Sequence, residues 1–84
     1  MTEAGPTPDR EVDARGLICP LPVLRARKVL LGMEPGEVLR VLATDPMAAI
    51  DLPHFCAEAG HEHLESRVED GVQVHLIRCG ALKV

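Results

Sequence analysis

The stretch Gly16-Leu17-Ile18-Cys19-Pro20-Leu21-Pro22 constrains this chain more than any other. Two prolines so close together rule out both a central strand and a helix interior, because each ring fixes φ and removes a backbone donor. Proline is favoured in the first turn of a helix, where its missing N–H would have no partner anyway. A helix is therefore expected to start at about Pro22, with Gly16 ending whatever precedes the loop. Cys19 is then held at or just outside the positive end of the helix dipole. A thiol so placed is biased toward thiolate, the nucleophilic form, and Cys19 is read as the working atom of the protein. The alternative is a small buried hydrophobe that happens to be cysteine.

The segments around this joint read as alternating strands and helices. Residues Met1 to Asp9 lack apolar periodicity and are expected to be a flexible tail, leaving residues 10–84 as one domain. Around Glu11-Val12-Asp13-Ala14 a short strand puts Val12 and Ala14 on one face. From Pro22 to about Gly32, Val23, Ala26, Leu30 and Met33 share a helical face, flanked by Leu24, Leu31 and Val29, with Arg25 and Lys28 opposite. Arg27 falls inside the apolar arc and is expected to snorkel out or to pair with a carboxylate such as Asp13 or Asp45. Val38 to Thr44 is the clearest strand, followed by Asp45-Pro46. Strand, helix and strand make a right-handed crossover with parallel strands, so the Cys19 and Asp45 loops emerge on one sheet edge and face each other.

Met47 to Ala59 is helical in pattern but interrupted by Pro53. Either Asp51 caps a fresh helix or a single helix is kinked, with Ile50, Leu52, Phe55 and Cys56 toward the core. Leu64 to Val68 and Val72 to Ile77, joined through Glu69-Asp70-Gly71, read as a hairpin, with Leu64, Val68, Val72, Val74 and Leu76 facing one core. The pattern βαβαββ gives an α+β fold, a two-layer sandwich of a four-stranded mixed sheet with both helices on one face.

Composition narrows the function. The chain has 84 residues, a single aromatic (Phe55) and a net charge of −4, which argues against a direct nucleic-acid surface. No apolar run is long enough to span a membrane, so a cytoplasmic protein and a free monomer are expected. Three cysteines without close spacing point to free thiols in a reducing compartment. Zinc ligation is disfavoured: no C-x₂-C exists, and His61-x-His63 fits neither a finger nor a helical pair. Thioredoxin-like exchange lacks its second cysteine at Pro22. A cysteine protease needs a pocket and a fixed imidazole base that a chain of this size hardly accommodates. Cys56 is read as a core residue and Cys79 as incidental. What remains is an exposed thiol without a substrate cleft, which suits a carrier. The competing reading is a regulatory or docking domain that binds a protein or an anion at the helix N-terminus.

The run Gly16-Leu17-x-Cys19-Pro20-x-Pro22, with Arg27-Lys28, Thr44-Asp45-Pro46 and Asp51-x-Pro53-x-Phe55-Cys56, resembles the TusA/SirA family of sulfur-carrier proteins, particularly its TusA branch. The likeness runs in order from about Val12 to Arg78. It implies a fold similar to the C-terminal domain of translation initiation factor three, and a persulfide carried on Cys19. Sulfur would come from a cysteine desulfurase or rhodanese-type donor and pass to an acceptor protein, in a relay for tRNA 2-thiouridine formation. Other members of the family serve molybdenum-cofactor assembly or sulfur oxidation. Only Cys19 carries over as catalytic; Gly16, Pro20, Pro22, Arg27 and Asp45 are supports, and no cofactor or metal is implied.

Overall fold

In a computed structural model, which describes residues 7–81, the elements are β1 (Arg10–Ala14), α1 (Leu21–Leu31), β2 (Val38–Ala43), α2 (Ala48–Ala59), β3 (Glu62–Glu69) and β4 (Val72–Arg78). The strands form one sheet in the order β1-β2-β4-β3. β1 and β2 are parallel, as a helical crossover requires, and β4 runs antiparallel to both β2 and β3. The fold is the expected two-layer α+β sandwich. Asp70 and Gly71 both take positive φ at the β3–β4 turn, the conformation that suits the twist of a tight hairpin. Of the tail expected over residues 1–9, residues 1–6 lie outside those described. Asp9 is hydrogen-bonded to the start of β2 through both backbone and carboxylate, at 2.7 and 2.8 Å from Val38.

The core is aliphatic. α1 buries Pro22, Ala26 and Leu30, and α2 buries Ala48, Leu52, Cys56 and Ala59, each at the three-to-four spacing of one helix face. They pack on Val12, Ala14, Leu39, Val41, Ala43 and Ile77 of the sheet, with Met33 and Cys79 closing the end and Phe55 half-buried against the cluster. Each fully buried Leu, Val or Ile side chain stabilises the fold by roughly 1.5–3 kcal/mol, so a core of this kind suffices without aromatics.

Several expectations are corrected. The buried arc of α1 is narrower than the wheel suggests, because one edge of the helix meets the sheet; Leu24 and Leu31 are exposed, and so is Arg27 beside them. Arg27 pairs with neither Asp13 nor Asp45: Asp13 is held by Arg15 at 2.8 Å, and Asp45 accepts backbone N–H groups. α2 is one continuous helix through Pro53, so Asp51 lies in its first turn instead of capping a second helix, and Ile50 faces solvent. In β4 the register places Gln73, His75 and Ile77 beside Ala43, Val41 and Leu39, on the helix side. Val72, Val74 and Leu76 therefore point to the other face of the sheet, where Val74 and Leu76 are nonetheless buried as expected and Val72 half-buried, whereas Val68 is exposed. That outer face carries ion pairs, Arg40 with Glu11 and Arg67 with Glu65 and Glu69. Cys79 is no incidental residue: it is buried, its Sγ 3.6 Å from the carbonyl oxygen of Leu30.

Candidate functional site

The carboxyl ends of β1 and β2 are laced together by side chains. After Ala14 the chain reverses at Gly16, whose φ of 80° lies where a Cβ is strained. The Gly16 N–H donates to Thr44 Oγ1 at 2.9 Å. Three residues on, the Cys19 N–H donates to Asp45 Oδ2 at 2.6 Å. The other oxygen of Asp45 accepts from the Met47 N–H at 3.1 Å, and its carbonyl accepts from Ala48 N–H at 2.9 Å. One aspartate thus ties the Cys19 loop to the entry of α2, satisfying helix-end donors that have no intrahelical partner. The Cys19–Pro20 peptide bond is cis, and Pro22 sits in the first turn of α1.

The thiol itself contradicts one expectation. Cys19 is exposed, and its Sγ donates to Asp51 Oδ2 at 3.0 Å. That hydrogen bond holds the proton on sulfur and raises the thiol above its ordinary range, with desolvation and the charges of Asp51 and Asp45 acting the same way. A helix end is worth about half a positive charge, whereas each carboxylate is a full negative one and Asp51 is in contact. The acids win, and the free protein presents a thiol. Beside it lies a shallow depression of about 320 Å³ lined by Pro20, Val23 and Phe55 together with Asp51, His54 and Glu58.

A second set of polar groups reaches the same loop from beneath. Gln73 donates through Nε2 to the Asp45 carbonyl at 2.8 Å. Its amide oxygen must then face His75 Nε2, 2.8 Å away, so that nitrogen carries the proton. His75 Nδ1 is left as acceptor and receives a hydrogen bond from His63 Nε2 at 2.9 Å. Burial keeps both imidazoles neutral, pulling His75 down to about 4 with His63 adding to it. Their helix-side register in β3 and β4 is what gives these residues their partners.

Of the residues singled out from sequence, Gly16, Cys19, Pro20, Pro22 and Asp45 come together here. Arg27 does not join them; it borders a separate depression with Phe55, Glu58 and Ala59. Cys56 is buried, and burial pushes its thiol up to about 12. Among the described residues no group of three or more His, Cys, Asp or Glu side chains is placed to hold a metal ion. No described helix is long and apolar enough to cross a membrane. The residue that sequence reasoning undervalued is Asp51, which enters there as a possible helix cap and as part of the family motif, with no role at the thiol. Its signal was its place at the start of the helix that follows the Asp45 loop, on the same edge of the sheet.

The sequence model of the family described as Sulfurtransferase TusA matches residues 10–79. The chain belongs to the TusA family. It is 49% identical over 70 residues to the sulfur carrier protein TusA of Allochromatium vinosum, covering 83% of this chain and 92% of that protein. Its fold superposes on the crystal structure of a SirA-like protein from Desulfitobacterium hafniense with a TM-score of 0.76 and 33% identity, over 84% of this chain and 97% of the other. In this TusA-family chain the matched region takes in both the Cys19 and Asp45 loops and every element of the sandwich.

Proposed function

We propose that the chain is a sulfur carrier, in which Cys19 takes a sulfur atom from a cysteine desulfurase or rhodanese-type donor and gives it to an acceptor protein. The observation that carries this reading is the position of Cys19: an exposed thiol on a loop whose backbone is tied down on both sides, opening onto a shallow surface. The thiolate attacks the outer sulfur of the donor's persulfide. The donor's S–S bond breaks, its cysteine leaves with the bonding pair and takes up the proton, and Cys19 becomes the persulfide. Nothing is oxidised or reduced overall, so the step needs no cofactor. A loop held out from the body reaches a partner's site better than a cleft does, and its stiffness lowers the ordering cost of docking.

An ordinary thiol of pKa ~8.5 is only a few per cent thiolate at neutral pH, and the carboxylates beside Cys19 reduce that further. Ionisation therefore belongs to the complex: a cationic group of the donor brought against Asp51 and Asp45 offsets their charge and releases the proton. This keeps the empty carrier unreactive until it docks. The destination we propose is the relay that ends in tRNA 2-thiouridine, in the cytoplasm, with another protein holding the RNA; likeness to the TusA branch supports it, as does the net negative charge.

Incubation with a cysteine desulfurase and free cysteine is expected to add one sulfur to the peptide containing Cys19, read by mass spectrometry. Absence of that adduct, or full function of Cys19→Ser in cells, sinks the proposal in favour of a docking domain. Loss of 2-thiouridine from tRNA on deletion tests the destination separately.

A further inference from the structure

Two carboxylates meet the Cys19 loop and act on different atoms. Asp45 accepts the backbone N–H groups of Cys19 and Met47, contacts that do not depend on what the sulfur carries. Asp51 contacts the sulfur itself, at 3.0 Å, from the first turn of α2. That contact needs a proton on Sγ. Once Cys19 holds a second sulfur, Sγ is bonded to Cβ and to the outer sulfur and has no hydrogen to donate. The proton it lost has gone to the donor's leaving thiolate. A persulfide is also a stronger acid than the thiol it comes from, so the outer sulfur is an anion at neutral pH.

Resting on the sulfur-carrier reading, we propose that Asp51 sorts the two states of Cys19 by charge. It holds the empty thiol against α2 through the S–H···O bond, and it drives the anionic outer sulfur away from α2, toward the solvent side where an acceptor docks. Like charges within about 4–6 Å disfavour one another strongly, and an S–S bond of ~2.05 Å places the new charge within that range. The depression beside the thiol offers little relief, since Glu58 lines it with Asp51 and the one basic side chain there, His54, lies 3.4 Å from Glu58. Rotation of the side chain away from both acids is the remaining route. Asp51 is thereby a group in contact with the reacting atom, and its task changes sign when the carrier is loaded.

The test uses the full chain, empty and loaded with inorganic polysulfide, so that no biological donor is needed. Both forms are alkylated with neutral iodoacetamide at pH 7, and the Cys19 peptide is followed by mass spectrometry. In the empty protein Asp51→Asn is expected to speed alkylation about threefold or more, because loss of the carboxylate that holds the proton on sulfur leaves more thiolate. In the loaded protein the same substitution is expected to slow capture of the outer sulfur, because it is no longer held outward. Rates that rise together, fall together or stay fixed overturn the proposal, since a merely structural change or a simple change of acidity moves both one way. Asp51→Glu, which keeps the charge, is expected to restore the original signs. If Asp51→Asn does not fold, added salt in the unsubstituted protein must speed the first reaction and slow the second; no such crossing also overturns it. Failure of the carrier reading looks different: the desulfurase leaves Cys19 unmodified while the crossing persists in polysulfide-loaded protein.

Discussion

Cys19 and Cys56 both hold their protons more tightly than a free cysteine, but the leading causes differ. Cys56 is enclosed by the core on α2, and the low polarity around it disfavours the thiolate. Cys19 is at the surface, where its hydrogen bond to Asp51 leads, local desolvation follows, and the charges of Asp51 and Asp45 add to both. The difference lies in what can reverse it. A charge is cancelled by an opposite charge from outside, by salt or by one substitution. Burial is cancelled only by opening the fold. A thiol meant to react on docking must be restrained in the first way, and a thiol meant to fill space in the second. The same division separates the edge of the sheet from its interior, and His75 gives the interior its strongest test.

His75 titrates at about 4 in the folded protein against 6.5 for a free imidazole, held down first by burial and then by His63. The unfolded chain therefore binds more protons between those values, and stability rises with pH across the interval. The contribution is complete above pH ~6.5 and disappears as the pH falls through ~4, for a total on the order of 3 kcal/mol. Urea midpoints measured at intervals from pH 7 to pH 4 should fall accordingly, and His75→Gln should flatten the curve. A flat profile in the unsubstituted protein would mean that burial does not govern this imidazole, and the comparison would lose its buried half. Alkylation of Cys19, by contrast, should follow salt and Asp51 and be indifferent to His75.

Gln73 connects the two regions, which makes it the place to look for leakage between them. Gln73→Leu removes the donor to the Asp45 carbonyl and leaves His75 Nε2–H facing carbon. The Asp45 carbonyl keeps the Ala48 N–H, so the larger cost is the buried imidazole donor, roughly 1–3 kcal/mol. Chemical denaturation should register that loss. Hydrogen exchange at the Cys19 amide should quicken as well, because the aspartate that binds it is less firmly seated. An unchanged Cys19 amide would confine Gln73 to the interior.

What was legible in the sequence follows from short-range rules. Proline at a helix start, glycine at a reversal, Asp-Gly in a hairpin and a three-to-four apolar spacing all act within a few residues, and they gave the order βαβαββ and the meeting of the Cys19 and Asp45 loops. The misreadings concern which side of an element faces the core between sheet and helices. In β4, Val72, Val74 and Leu76 alternate as a buried face should, yet the pairing with β2 turns Gln73, His75 and Ile77 to the helices. Period two fixes the two sets and not their sides. Arg27 and Ile50 fail for the same reason, each lying at the border of an arc whose width depends on the neighbour. The thiol was misjudged because its controlling carboxylate is 32 residues away in sequence, and a helix dipole read locally takes no account of it.

The smallest effect sharpens the comparison most directly. Cys56→Ala removes a sulfur from a site that is 1% exposed and should cost about 1 kcal/mol, the loss of a small buried group plus the space it leaves. Cys19→Ala removes the same atom from the surface and should leave the denaturation midpoint nearly unchanged. On sulfur loading from a desulfurase the two variants should exchange places, Cys56→Ala accepting one sulfur as before and Cys19→Ala accepting none. Stability and loading are then separable by one atom in each of two positions. If Cys56→Ala also lost loading while remaining folded, α2 would have to transmit its packing to Asp51, five residues upstream of Cys56 on the same helix. The restraint on Cys19 would then depend on how firmly the core holds that helix, and not on charge alone.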